Sequence, residues 1–150
     1  MMILREYTPQ DKAACLDLFD SNLDPYFLPH ERAEFSRFLD KKIGEYFVVE
    51  DNGDILGCGG IAFTDETGEA NLTWGMINRQ KHRQGIGSFL TEGRLERIRQ
   101  IPGLKTVTIQ TSQHTVAFYA RYGFEVREII KDGFGPGLDN YKMTLSLIPV

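Results

Sequence analysis

Arg79-Gln80-Lys81-His82-Arg83-Gln84-Gly85-Ile86-Gly87-Ser88 is the join between two kinds of periodicity. Before it, Ala70 to Ile77 alternates, with Leu72, Trp74 and Met76 falling on one side of a strand. After it, Ile86, Phe89 and Leu90 stand at i, i+3 and i+4, the spacing of a helix that starts at Gly85 and ends before Pro102-Gly103. Leu104 to Thr111 reads as the next strand. Strand, helix and strand over 70–111 are long enough for a crossover, so the two strands are expected to be a parallel pair. The two glycines of the join let a ligand approach the backbone where the first helical amides have no carbonyl partner. The positive end of the helix dipole suits an anion there, and Arg79, Lys81 and Arg83 add charge. A tight turn with a solvated basic rim is the other reading of the same residues.

Toward the N-terminus, Ile3 to Tyr7 alternates as a strand, and Thr8-Pro9-Gln10-Asp11 supplies a hydroxyl cap, a first-turn proline and a carboxylate three residues on. The helix that follows carries Ala14, Cys15, Leu18 and Phe19 on one face and stops near Asn22, before Pro25. Pro29 opens a second helix with Phe35, Phe38 and Leu39, running to Ile43. Tyr46 to Glu50 and Ile55 to Thr64 are strands joined through Asp51-Asn52-Gly53-Asp54, a hairpin signal, and Thr67-Gly68 marks the next turn. Toward the C-terminus, His114 to Arg121 is a short helix stopped by Gly123, Phe124 to Lys131 a strand, and Asn140 to Leu147 a last strand after a glycine-rich loop. The order βααβββαβαββ predicts an α/β (α+β) fold: one domain over residues 1–150, a mostly antiparallel sheet with one parallel central pair, and helices on both faces.

Composition narrows the function. The chain has 150 residues, 41% apolar and 25% charged, which leaves no reason to invoke long disorder. Seventeen Lys plus Arg against 21 Asp plus Glu give a net charge of -4, which argues against a general nucleic-acid binder. Cys15 and Cys58 lack the paired spacing of a zinc site, and both sit in core-like patterns that suit neither a metal nor an acyl-carrying nucleophile. No run approaches a membrane span or a leader, so the chain is expected to be cytoplasmic.

Neither common nucleotide fingerprint fits Gly85 to Leu90: the third glycine of the dinucleotide motif is missing, and no Gly-Lys-Ser/Thr follows. His82-Arg83-Gln84-Gly85-Ile86-Gly87 instead resembles the acetyl-CoA pyrophosphate loop of the GNAT superfamily of N-acetyltransferases, Arg/Gln-x-x-Gly-x-Gly/Ala, with His82 as a departure. Ser112-Gln113-His114-Thr115-Val116-Ala117-Phe118-Tyr119-Ala120-Arg121-Tyr122-Gly123-Phe124 resembles the family's Asn-x-x-Ala-x-x-hydrophobic-Tyr-x-x-x-Gly-Phe segment, with Ser112 for Asn and Thr115 for Ala. The resemblance spans the chain. It implies acetyl-CoA as co-substrate without a metal, bound by Trp74, Gly75, Met76 and Ile77, by the loop from His82 to Ser88, and by Ser112, Phe118 and Tyr119. It also implies that backbone amides of the strand at 72–77 hold the thioester carbonyl, that a primary amine attacks directly, and that the Tyr119 hydroxyl meets the departing sulfur.

On chemistry alone, a thiol near 8.5 and a phenol near 10 leave full proton transfer uphill by about 2 kcal/mol, so a hydrogen bond to developing charge is most of such a tyrosine's role. A buried aromatic beside Phe118 and Phe124 is the plainer reading of Tyr119. Glu69, at the start of the central strand, is a candidate general base, beside His114 and the Glu31/Glu34 pair; a water chain is equally open. The resemblance places the acceptor pocket near Tyr26, Phe27, Phe35 and Asp132-Gly133-Phe134-Gly135-Pro136-Gly137-Leu138-Asp139, where aromatic walls and carboxylates would suit a cationic small-molecule or peptide amine. The alternatives are a catalytically silent acyl-CoA-binding regulatory module and an unrelated nucleotide-binding domain. The chain is read as a monomer, or as a homodimer paired through exposed edge strands.

Overall fold

The computed structural model describes residues 1–41, 44–64 and 68–148; the expected helix end at Ile43 and turn residue Thr67 lie outside them. The elements run β1 (Ile3–Glu6), α1 (Lys12–Ser21), α2 (Glu31–Lys41), β2 (Glu45–Asp51), β3 (Asp54–Thr64), β4 (Glu69–Ile77), α3 (Ile86–Arg99), β5 (Thr106–Thr111), α4 (Val116–Ala120), β6 (Glu125–Gly135) and β7 (Leu138–Ser146). Short 3-10 turns at Pro9–Asp11 and Arg79–Lys81 precede α1 and α3. The helix start read at Thr8 forms: the Asp11 carboxylate accepts from the Thr8 backbone N–H at 2.8 Å and from its hydroxyl at 3.2 Å. Asn52 and Gly53 both take positive φ, 52° and 85°, as the tight β2–β3 turn requires.

The seven strands form one sheet in the order β1-β2-β3-β4-β5-β7-β6, and every pairing is antiparallel except β4 with β5. Cys58 and Met76 pack with Cys15, Leu18 and Phe19 of α1 and Phe35 and Leu39 of α2 on one face. Ile61, Ala70 and Val107 pack with Leu95 and Ile98 of α3 on the other.

Two sequence expectations need correction. Leu72, Trp74 and Met76 do not share a face: Leu72 joins the α3 side, whereas Trp74 and Met76 join the α1/α2 side. The cause is a bulge. Cys58 opposes Met76 and Gly60 opposes Thr73, so β4 spends one residue more than β3 between these pairs, and Trp74 takes φ 40°. Second, 132–139 is not a plain loop. β6 continues to Gly135, β7 begins at Leu138, and the register slips between Ile130 and Gly135. Asp132 and Asp139 hold this distorted end: the Asp139 carboxylate accepts from the Asp132 N–H and the Asp132 carboxylate from the Gly137 N–H, both at 2.8 Å.

Candidate active site

The parallel ladder stops early. β4 and β5 pair only from Glu69 opposite Thr106 to Leu72 opposite Ile109; β4 then runs on to Ile77, while β5 keeps its other partner, β7. The bulge at Trp74–Gly75 bends β4 at the point of separation. A cavity of about 1110 Å³ opens between the parted strands, at their carboxyl ends, where parallel strands that separate leave a ligand crevice. That volume lies just above the roughly 300–1,000 Å³ usual for small-molecule sites.

One wall is the start of α3. Gly85 is left-handed at φ 82°, turning the chain so that Gly85, Gly87 and Ser88 face the cavity. A Cβ at Gly87 would sit 3.4 Å from the Phe118 ring, in ordinary van der Waals contact, so any larger side chain there would reach into the space between α3 and α4. His82 and Arg83 line the same wall, and the resident charge is less than the sequence suggests. Arg79 turns away, donating to the Asp24 carbonyl at 2.8 Å and lying over the Tyr26 ring, and Lys81 is exposed outside the cavity. Gln84 is exposed and the Ile86 side chain is buried against Val49 and Leu90, so neither side chain lines the cavity. Burial and then Arg79 push the His82 imidazole pKa down, against the Ile77 carbonyl, which favours the neutral ring.

The opposite wall comes from the β5–α4 connection. Ser112 is buried; its hydroxyl accepts from the His114 N–H at 3.2 Å and its carbonyl from the Thr115 and Val116 N–H groups, which fixes the entry to α4. Tyr119 is 8% exposed, packs edge-on against Phe118 and Phe124, and lines the cavity. Trp74, Gly75, Met76 and Ile77 face it from β4. Among the described residues no strand pairs with β4 beyond Leu72 on that side, so the edge of the bulge that faces the cavity has no ladder partner.

Around the segments expected to shape an acceptor pocket, the cavity is lined by Tyr26, Phe27, Glu31, Glu34, Phe38 and Phe134. Phe35, expected here, is fully buried in the core beneath Trp74, and Phe38, three residues on, supplies the wall instead. Burial pushes the Glu31 pKa above the ordinary carboxylate range, opposed by the Leu28 N–H that its carboxylate accepts at 2.9 Å. His114 is exposed at the rim, edge-on to Tyr26. Glu69 does not line the cavity. It begins β4, five residues or roughly 17 Å before the bulge at about 3.3 Å per residue.

Sequence reasoning missed the residues that hold this frame. The Tyr46 hydroxyl donates to the Trp74 carbonyl at 2.7 Å and Asn22 Nδ2 to the Ile77 carbonyl at 2.7 Å, anchoring β4 on either side of the bulge. Gln113 donates to the Gly137 carbonyl and accepts from the Asp139 N–H, both at 2.9 Å, tying the β6–β7 end to α4. Only side-chain polarity signalled any of them. Among the described residues, no cluster of three His, Cys, Asp or Glu could hold a metal, and no helix is long and apolar enough to cross a membrane.

The family model for the acetyltransferase (GNAT) domain matches residues 42–126, more than half of the chain. The chain belongs to the GNAT acetyltransferase family. Among solved structures, a GNAT-family protein from Desulfovibrio desulfuricans superposes with a TM-score of 0.84 at 21% identity, over 99% of this chain and 100% of that one. The ribosomal-protein-S18-alanine N-acetyltransferase of Escherichia coli gives 0.80 at 18% over 100% and 96%. An aminoglycoside 6'-N-acetyltransferase complexed with coenzyme A gives 0.75 at 15% over 99% and 98%. Among curated proteins no sequence matches. At these identities the superpositions establish the GNAT fold for this chain, with its seven mostly antiparallel strands and one parallel pair.

Proposed function

We propose that this acetyltransferase moves the acetyl group of acetyl-CoA to a primary amine by direct attack in a ternary complex. The observation that carries the reading is the crevice between β4 and β5, which has the glycine-lined start of α3 on one wall and Tyr119 on the other. The coenzyme A complex of the aminoglycoside enzyme, which shares the fold, supports the same assignment of ligand. In this reading the α3 amides and Arg83 bind the pyrophosphate, and the free edge of the bulge meets the thioester oxygen as it gains charge. The amine nitrogen bonds to the carbonyl carbon, the carbon–sulfur bond breaks, and Tyr119 hydrogen-bonds the sulfur as the amine proton leaves through Glu31, Glu34 or water. Aromatic walls with Glu31 and Glu34 favour a cationic amine with an apolar body, in a small molecule or a peptide.

Free thiol is followed with acetyl-CoA and a panel of tyramine, tryptamine and spermidine against glutamate and glycinamide. Thiol release with the cationic amines is the expected result. Binding of acetyl-CoA with no thiol released by any amine would instead identify a silent acyl-CoA-binding module.

A further inference from the structure

α3 carries a guanidinium where a helix packed on a sheet ordinarily has an apolar side chain. Arg94 is 1% exposed and among the largest fully buried side chains of the protein. Its Nη1 donates to the Gly60 carbonyl at 3.3 Å, while Nε and Nη2 have no hydrogen-bond partner, and among the described residues no carboxylate pairs with it. Two glycines make room for it. A Cβ on Gly59 would come 3.1 Å from its Cζ, and a Cβ on Gly75 2.9 Å from its Nη2. Gly75 belongs to the bulge, and Arg94 lines the cavity that opens there. The charge also reaches the other side of the sheet: it opposes the burial that holds the Tyr46 hydroxyl protonated, and that hydroxyl donates to Trp74 of the bulge.

A buried cation without an anion costs stability, and replacing it by an apolar side chain of similar volume is commonly neutral or stabilising. The cost is offset when negative charge develops nearby in a site already shielded from water. We infer that Arg94 is a positioning residue for acyl transfer: it braces the β3–β4 bulge and sets a fixed positive charge behind the edge where the thioester oxygen becomes negative. The inference rests on the acetyltransferase reading above. It adds no chemical step; the acyl carbon passes from sulfur to nitrogen as described, and Arg94 stabilises the charge on the oxygen in between.

Arg94→Met and Arg94→Lys are compared with wild type, using the panel amine that wild type turns over fastest. Arg94→Met is expected to melt at or above the wild-type temperature and to keep KM for acetyl-CoA within about twofold, while kcat falls roughly ten- to hundredfold. Arg94→Lys is expected to recover part of kcat. Gly59→Ala, which pushes on the guanidinium from β3, should lower kcat in the wild type and add nothing in the Arg94→Met background. Unchanged kcat in Arg94→Met overturns the inference. So does a kcat loss accompanied by a lower melting temperature and weaker acetyl-CoA binding that Lys does not restore, because that pattern is packing alone. No turnover by wild type with any amine would overturn the acetyltransferase reading itself, and the role of Arg94 with it; turnover by wild type with unchanged Arg94→Met would overturn only the latter.

Discussion

Tyr119 and Glu31 line the same cavity, and each makes a separable prediction. Removing the Tyr119 hydroxyl leaves a ring packed against Phe118 and Phe124, so Tyr119→Phe should change stability by less than about 0.5 kcal/mol. If the hydroxyl meets the leaving sulfur, kcat falls by about a hundredfold with KM for acetyl-CoA unchanged. A kinetically silent Tyr119→Phe would leave only an aromatic of the core. Glu31 is tested through pH. Its folded pKa is raised by burial above its ordinary 4.5, so the folded state holds the proton longer than the unfolded chain. Its contribution is therefore complete below pH 4.5 and is lost as pH rises through the raised value. Glu31→Gln keeps an oxygen for the Leu28 N–H and removes that loss. The melting temperature of Glu31→Gln relative to wild type should climb between pH 4 and 8, and a difference that stays flat across that range would place Glu31 in ordinary solvent. Asp11 has the opposite sign: Arg5 above all holds its pKa below the ordinary 3.8, so its contribution is present above 3.8 and lost as pH falls through the lowered value.

At the scale of elements, the glycines of the β2–β3 hairpin and of α3 divide by what surrounds them. A Cβ on Gly60 would lie 2.5 Å from both the Glu45 carbonyl oxygen and Tyr46 Cδ1, neither of which can retreat without moving β2. Gly60→Ala should cost about 3 kcal/mol in denaturant unfolding, whereas Gly53→Ala, with open space but φ 85°, should cost only about 1 kcal/mol. Equal losses would mean that backbone strain and not packing sets the price at both sites. Gly87→Leu should leave the fold intact, yet raise KM for acetyl-CoA about tenfold or more by filling the channel toward Phe118. The elements themselves were readable because periodicity changes at Gly85 and the Asn52-Gly53 turn has only one economical geometry. The bulge was not, since Leu72, Trp74 and Met76 are apolar whichever face each occupies, and one extra residue leaves no trace in such a pattern. Arg94 was hidden for the converse reason. Within an Arg/Glu-rich helix it reads as one more solvated charge, and only the juxtaposition of Gly59 and Gly75 from two other strands creates the hollow that holds it. Glu69 and Phe35 fall outside the cavity lining because a strand or helix assignment fixes direction and periodicity but not which end or turn borders a cavity made by tertiary contacts.

For the whole molecule, the crevice exists because the sheet is one object with two unequal halves. β1 to β4 form one antiparallel run, β5, β7 and β6 form a second in that spatial order, and among the described residues the four pairs from Glu69 to Leu72 are the only ladder that joins them. A ligand lodged past Leu72 touches both halves and therefore stabilises their junction as well as itself. Acetyl-CoA at about 100 times its dissociation constant should add about 2.7 kcal/mol to the unfolding free energy, a rise of roughly 5–10 °C in melting temperature for a chain of this size. ATP and NAD should not reproduce it. Hydrogen exchange locates the effect: amides of 73–77, 85–88 and 112–119 should slow when acetyl-CoA binds, while β1 and β2, whose ladders lie on the far side of β3, should exchange at global rates unchanged apart from the added stability. Slowing confined to 85–88 would mean that the ligand grips the α3 start without bridging the halves, and the bulge would then have no part in holding the thioester.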